Sequence, residues 1–184
     1  HLNKSSWIKK NAPQEVWYVD LANTKNGVIE ELQYYSWNEA PSRARRILNE
    51  GDTIVGTVRP GNRSYSLIGA THKQLTASTG FAVLTPKETN RLDFIFIAAT
   101  RYENINRLAH LADGAAYPAV RPDVVTQMLL TLPSEAVMSE FSKIVKPLFQ
   151  QQNCNITAEV DFRSLRDVLL PKLLSGELDV IEAA

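Results

Sequence analysis

Residues 134–170 read SEAVMSEFSKIVKPLFQQQNCNITAEVDFRSLRDVLL, and the spacing of their apolar side chains decides the fold. Ser134 follows Pro133 and precedes Glu135, the pattern of a helix N-cap with an acid in the first turn. From there a heptad runs without a break. Val137, Ile144, Gln151, Ala158 and Leu165 hold one position, and Phe141, Leu148, Asn155, Phe162 and Leu169 hold the other. This is the 3.5-residue repeat of a coiled-coil seam. Gln151 and Asn155 make its centre polar, which weakens the seam but fixes register and pairing. A helix from Ser134 to about Leu170 is roughly 55 Å long at 1.5 Å per residue. The 133 residues before it cannot cover such a rod along its whole length, so part of the apolar stripe must meet another helix. That helix belongs either to a partner chain or to a second copy. Pro147 interrupts the backbone ladder and is expected to kink the helix or start a new segment. Two ordinary amphipathic helices packed on the body, with a break near Asn153–Asn155, fit the same residues. The extended rod is preferred because the register survives the proline.

The preceding residues have a different texture. Glu15–Leu21, Asp52–Val58, Ser64–Ile68, Phe81–Leu84 and Met128–Leu132 are short runs of β-branched, aromatic or leucine side chains, and they predict strands. Asn26-Gly27 and Arg59-Pro60-Gly61-Asn62 are turn signals. Arg91–Leu111 has the length and spacing of helix, with Leu92, Ile95, Phe96 and Ala99 on one face. A short helix is expected from Asp123 to about Gln127, with Pro122 in its first turn. The expected fold is therefore α+β, a strand-rich mixed body over residues 1–133 followed by a long C-terminal helix over 134–184.

Composition narrows the classes of function. The 184 residues carry 20 Lys+Arg and 20 Asp+Glu, yet residues 1–133 hold a net charge of +3 and residues 134–184 a net charge of −3. A mildly basic body on a mildly acidic tail suggests two different partners. No apolar run approaches the roughly 18 residues of a membrane span, and no charged-then-apolar leader stands at the start. These features suggest a cytoplasmic protein. The chain opens with His1 rather than Met, which suggests a processed or truncated product. Cys154 is the single cysteine, which excludes an internal disulfide and a multi-cysteine zinc site.

Reactive clusters are few. Neither the phosphate-binding G-x-x-x-x-G-K-[ST] nor G-x-G-x-x-G occurs, and there is no G-x-S-x-G elbow. His1, His72 and His110 lack ligand spacing, so neither a metal nor a cofactor is expected. No E-x-K or D-x-K pairs an acid with a lysine in the manner of metal-dependent nucleases. A binding role leads over a catalytic one. Three loop-like segments concentrate basic and aromatic residues: 42–46, 57–65 with His72 and Lys73 beyond it, and 117–122. Arginine can contact phosphate and can also pair with guanine O6 and N7. Asn62 and Gln74 can read adenine edges, while Ser64, Tyr65, Ser78 and Thr79 can meet phosphate oxygens. A solvated loop surface with a few ion pairs would show the same composition.

The run Leu165-Arg166-Asp167-Val168-Leu169-Leu170-Pro171-Lys172-Leu173-Leu174-Ser175-Gly176-Glu177-Leu178 closely resembles the end of the specificity subunit of type I restriction-modification systems. Phe141-Ser142-Lys143-Ile144-Val145-Lys146-Pro147-Leu148-Phe149 resembles that family's conserved helical region. In the body, Pro41–Arg46, Gly51–Val55 and Thr57–Pro60 resemble the start of a target recognition domain. Ser78–Phe81 and Gly114–Val120 resemble its later turns, and the likeness extends from about Trp7 to Val180.

The resemblance implies two recognition domains in a full-length subunit, each followed by a long helix, with the helices packed as an antiparallel coiled coil. Each domain reads half of a bipartite duplex DNA target, methylation subunits dock on the helices, and restriction subunits join them. This sequence has one such domain and one such helix, so it is either a half-length subunit that forms a homodimer or a fragment that pairs with the other half. It implies no catalysis, with DNA contact at Arg43, Arg59, Arg63, Tyr65, Lys73, Tyr117 and Arg121. Arg59 stands out as a shared backbone contact. Arg43 and Gly51-Asp52 have a structural alternative, with Arg43 in an internal ion pair, and Gly80 and Gly114 are better read as turn residues. A recognition module of a nuclease or methyltransferase fusion and a helix-mediated adaptor without DNA binding are the rival readings.

Overall fold

The computed structural model describes residues 1–114 and 116–178, without the side chains of Thr157 and Val160. Ala115 and Val180, inside the matched stretches above, lie outside the described residues. The chain folds as two compact units, one from His1 to Lys143 and one beginning at Ile144.

The first unit is built on short strands: β1 (Glu15–Val19), β2 (Thr24–Lys25), β3 (Val28–Ile29), β4 (Gln33–Ser36), β5 (Ala44–Ile47), β6 (Thr53–Gly56), β7 (Tyr65–Leu67), β8 (Leu75–Ser78) and β9 (Phe81–Leu84). One mixed sheet has the order β4-β1-β8-β5, with β1 parallel to β8 and antiparallel to β4. A second, antiparallel sheet has the order β7-β6-β9. The hairpin β2–β3 turns at Asn26 and Gly27, whose φ values of 49° and 91° are those of a two-residue turn matched to strand twist.

Alternation along the second sheet makes it the middle layer. Ile54, Phe81 and Val83 pack with Val19, Ala77 and Leu48 in one buried cluster. Their neighbours Val55, Ala82 and Leu84 point the other way, into a cluster with Ala99, Ile105, Leu108, Val120 and Val125. That second cluster is closed by α1 (Leu92–Thr100), α2 (Tyr102–Leu111) and α3 (Pro122–Thr126). Asp52 is a structural residue of this core. Its buried carboxylate accepts from the Thr85 hydroxyl at 2.6 Å and from the Asn49 N–H at 2.8 Å.

Two expectations need correction. Met128–Leu132 forms no strand. Met128 packs against the second cluster, but Leu129, Leu130 and Leu132 are exposed and, among the described residues, pair with no strand, so a run of leucines there lacks a sheet to join. Arg91–Leu111 is two helices, because Arg101 takes an extended ψ of 149° between α1 and α2. The turn lets Asn104 donate to the Ala99 carbonyl from a fully buried position.

The long helix α4 spans Glu135–Leu174 as one element of 40 residues and passes through both Pro147 and Pro171. There is no break near Asn153–Asn155. At about 1.5 Å per residue it is roughly 60 Å long. Ser134 caps it, its hydroxyl accepting from the Val137 N–H at 3.4 Å. The opening turns belong to the first unit. Met138 is fully buried, Arg91 donates to Glu135 at 2.6 Å, and the Ser142 hydroxyl donates to the Asn90 carbonyl. Within the second unit, Ile144, Leu148, Phe162 and Leu165 are 68%, 64%, 69% and 53% exposed. Val137 is exposed, and Phe141 and Leu169 are half-buried. The polar centre is knit along the helix itself, Gln151 Nε2 donating to Asn155 Oδ1 at 2.9 Å. Gly176, at φ 73°, ends the element by the left-handed route open to glycine.

Candidate nucleic-acid interface

Three loops of the first unit are stitched together by backbone bonds. The N–H and hydroxyl of Thr57 both donate to the Gly80 carbonyl, and the Val120 N–H donates back to the Thr57 carbonyl. The Arg59 N–H donates to the Pro118 carbonyl at 2.7 Å. Between them, residues 60–62 form one 3-10 turn flanked by Arg59 at φ 47° and Arg63 at φ 60°. Two non-glycine residues in the left-handed region cost about 1–3 kcal/mol each, a strain that concentrates at functional sites. Gly56 lets the loop close. A Cβ there would lie 2.9 Å from the Ser64 carbonyl oxygen, which accepts the Gly56 N–H.

The stitched loops and the end of β1 border an open cleft of about 670 Å³. Asp20, Leu21, Arg43, Thr57, Arg59, Asn62, Ser64, Thr79, Gly80 and Tyr117 line it. Arg59 is exposed but held. Its guanidinium carbon lies 4.9 Å from the Tyr117 ring centre, and Nη2 donates to the Ala116 carbonyl at 2.9 Å. Arg43 is exposed and, among the described residues, makes no ion pair. The surface chemistry is that of hydrogen-bond donors for phosphate oxygens and base edges, with hydroxyls and an amide between the cations.

Of the residues expected to contact DNA, the cleft brings together Arg43, Arg59 and Tyr117. Arg63 borders the same turn, half-buried, with its guanidinium 5.3 Å from the Tyr102 ring. Tyr65 sits on β7 with its ring edge-on to Phe96 and packs against the second core cluster. Lys73 is not part of the lining. Its ammonium lies 4.0 Å over Trp17, whose ring meets that of Tyr34 at a tilt, centre to centre 5.2 Å. Arg121 is exposed at the start of α3, 3.6 Å from Asp123. His72 and His110 are both exposed.

Sequence reasoning passed over Asp20, the one acid of the cleft lining among the described residues, since nothing marks an aspartate at a strand end as functional. It also left unread the cation–ring pairs of Arg59 with Tyr117, Arg63 with Tyr102, Lys73 with Trp17 and Arg45 with Trp37. Tyr18, two residues before Asp20, is buried, and loss of solvent, above all, raises its pKa. It stays a neutral hydroxyl donor toward Asp20, at 3.4 Å.

Sequence comparison finds relatives of one kind. The chain is 22% identical over 141 residues to the type I restriction enzyme HindI specificity subunit of Haemophilus influenzae, covering 75% of this chain and 31% of that protein. It is 25% identical over 109 residues to the MjaIX specificity subunit of Methanocaldococcus jannaschii, covering 59% and 25%. The fold aligns along its whole length with half of the HsdS subunit from Thermoanaerobacter tengcongensis, at a TM-score of 0.60 and 22% identity. The resemblance to type I specificity subunits holds in sequence and in fold.

A second solved chain, from a study of complex assembly in the type I restriction-modification system, aligns equally fully at a TM-score of 0.54 and 21% identity, again over half of its length. No family model matches the chain. Measured against these proteins, the chain spans half of the solved chains and between a quarter and a third of the curated relatives. Among the described residues no group of His, Cys, Asp and Glu is placed to hold a metal ion. No described helix is long and apolar enough to cross a membrane.

Proposed function

We propose that this chain is a non-catalytic DNA sequence-specificity subunit of a type I restriction-modification enzyme. Residues 1–133 act as a target recognition domain that reads one half of a bipartite duplex target. Residues 134–184 act as a spacer on which methylation subunits, and through them restriction subunits, assemble. The cleft carries the reading. Loops distant in sequence, held together by main-chain hydrogen bonds, bring Arg43, Arg59 and Tyr117 to one surface beside Asn62 and Thr79. A cationic, amide- and hydroxyl-bearing cleft can both neutralise phosphate and read base edges. The names of the relatives point to the same role.

The spacer follows from the exposed stripe. A row containing Ile144, Leu148, Phe162 and Leu165, each more than half exposed, has the heptad spacing that pairs with another helix. Its occupant is a second copy of this chain, giving two recognition domains on inverted half-sites, or the other half of a longer subunit.

Duplex binding at increasing salt tests the proposal. The double variant Arg59→Glu, Arg63→Glu is expected to lose DNA retention while still assembling with its methylation subunit. Unchanged retention, or a chain with no sequence preference at moderate salt alone or in the complex, would overturn it.

A further inference from the structure

We infer that Asp20 is a base-reading acceptor that takes a hydrogen bond from the N4 amino group of a cytosine, and so selects a C·G pair at one position of the target. The assignment rests on the reading of the cleft as the DNA surface.

Asp20 directly follows Val19, a fully buried residue at the end of β1, so its backbone is anchored. The Thr24 hydroxyl donates to its carbonyl at 2.8 Å, fixing the turn beyond. Oδ1 is already used. It accepts the Leu21 N–H at 2.7 Å and faces the Tyr18 hydroxyl at 3.4 Å. Among the described residues no group donates to Oδ2, and Asp20 pairs with neither Arg43 nor Arg59, although all three line one cleft. Asp20 is half-buried, its carboxylate is oriented by its own backbone, and among the described residues one of its oxygens is unengaged.

A lone carboxylate is a liability on a surface that receives phosphates, because like charges repel there. It becomes favourable where the DNA offers a donor and no acceptor beside it. In the major groove thymine shows only an acceptor and a methyl group, and guanine shows two acceptors. Adenine sets N7 next to its amino group. Cytosine shows the amino group alone, and its partner guanine shows the two acceptors that an arginine takes. A cleft holding one carboxylate near separate arginines carries the complement of a C·G pair. The neutral Tyr18 hydroxyl, 3.4 Å from Oδ1, helps to orient the carboxylate.

The 184-residue chain is used to select duplexes from a randomised pool, alone and with its methylation subunit, alongside Asp20→Asn. Asparagine keeps an oxygen for the Leu21 N–H and replaces the outer oxygen with a donor. The wild-type motif is expected to contain a C·G position at which Asp20→Asn loses preference by about 5- to 150-fold while other positions keep theirs. The wild-type half of a second arm does not depend on the variant's folding. In the selected duplex, the cytosine is replaced by an analogue lacking the 4-amino group. Wild type is expected to weaken by a similar factor and Asp20→Asn to show no further loss. An unchanged motif in Asp20→Asn, with affinity shifted equally for every sequence, makes Asp20 a background charge and overturns the assignment. So does an analogue duplex that wild type binds undiminished. A wild-type chain that enriches no motif overturns the reading of the cleft itself, and this assignment with it.

Discussion

Arg59 and Tyr117 meet on the cleft lining, guanidinium carbon to ring centre 4.9 Å, while the same guanidinium donates to the carbonyl of Ala116. The residues come from different loops, and Tyr117 is 72% exposed, so its ring serves the arginine rather than the core. An exposed cation–ring contact is worth about 0.5–1 kcal/mol. Tyr117→Ala is expected to weaken duplex binding by about two- to five-fold through loss of this preorganisation. Tyr117→Phe keeps the ring and is expected to bind as wild type. Equal binding by all three proteins would remove the ring from the interface.

Salt titration separates the cleft from its surroundings. A lost phosphate contact lowers the slope of log affinity against log salt by about 1. Arg59→Ala is expected to show that change. Lys73→Ala is expected to leave the slope as it was, because its ammonium lies over Trp17 and outside the lining. The reverse pattern would move the DNA surface to the Trp17–Tyr34 side.

Gly56 is a point where stability and site meet. The Cβ of an alanine would lie 2.9 Å from a backbone oxygen of Ser64, which cannot swing aside as a side chain can. Gly56→Ala is expected to cost about 1–3 kcal/mol in denaturant unfolding. Gly80→Ala meets Leu21 Cδ1 at 2.7 Å, the end of a flexible side chain, and is expected to cost less. Equal losses would mean that the Ser64 segment yields.

The apolar stripe gives an association test. Phe162→Glu with Leu165→Glu is expected to turn a self-associated chain into a monomer at micromolar concentration, read by sedimentation. Both side chains are more than half exposed, so the thermal unfolding of the first unit should hold. A wild-type monomer would direct the stripe to a different partner chain.

Much of this was legible in the sequence where periodicity is strong. The heptad from Val137 to Leu169 located the long helix, and Asn26-Gly27 located a hairpin turn. Hydrophobicity misled at Met128–Leu132, because a leucine run resembles a strand whether or not a sheet edge is in reach. The edge strands β4 and β5 were missed for the opposite reason. Tyr34 and Arg45 give them a polar cast, and their pairing with β1 and β8 is set by tertiary contact. At the site, composition found the arginines, but only the folded chain showed Arg43, Arg59 and Tyr117 lining one cleft while Lys73 lies elsewhere. Asp20 gave no local signal, since its significance comes from the residues the fold sets around it.

Sequencing the duplexes that the chain retains from a randomised pool at moderate salt, with and without the proposed methylation subunit, bears on the proposed role as a whole. One enriched motif is expected, arranged as inverted half-sites where two copies pair through α4, and lost on Arg59→Glu. A pool retained without bias, or not retained at all in either setting, would contradict a sequence-reading head.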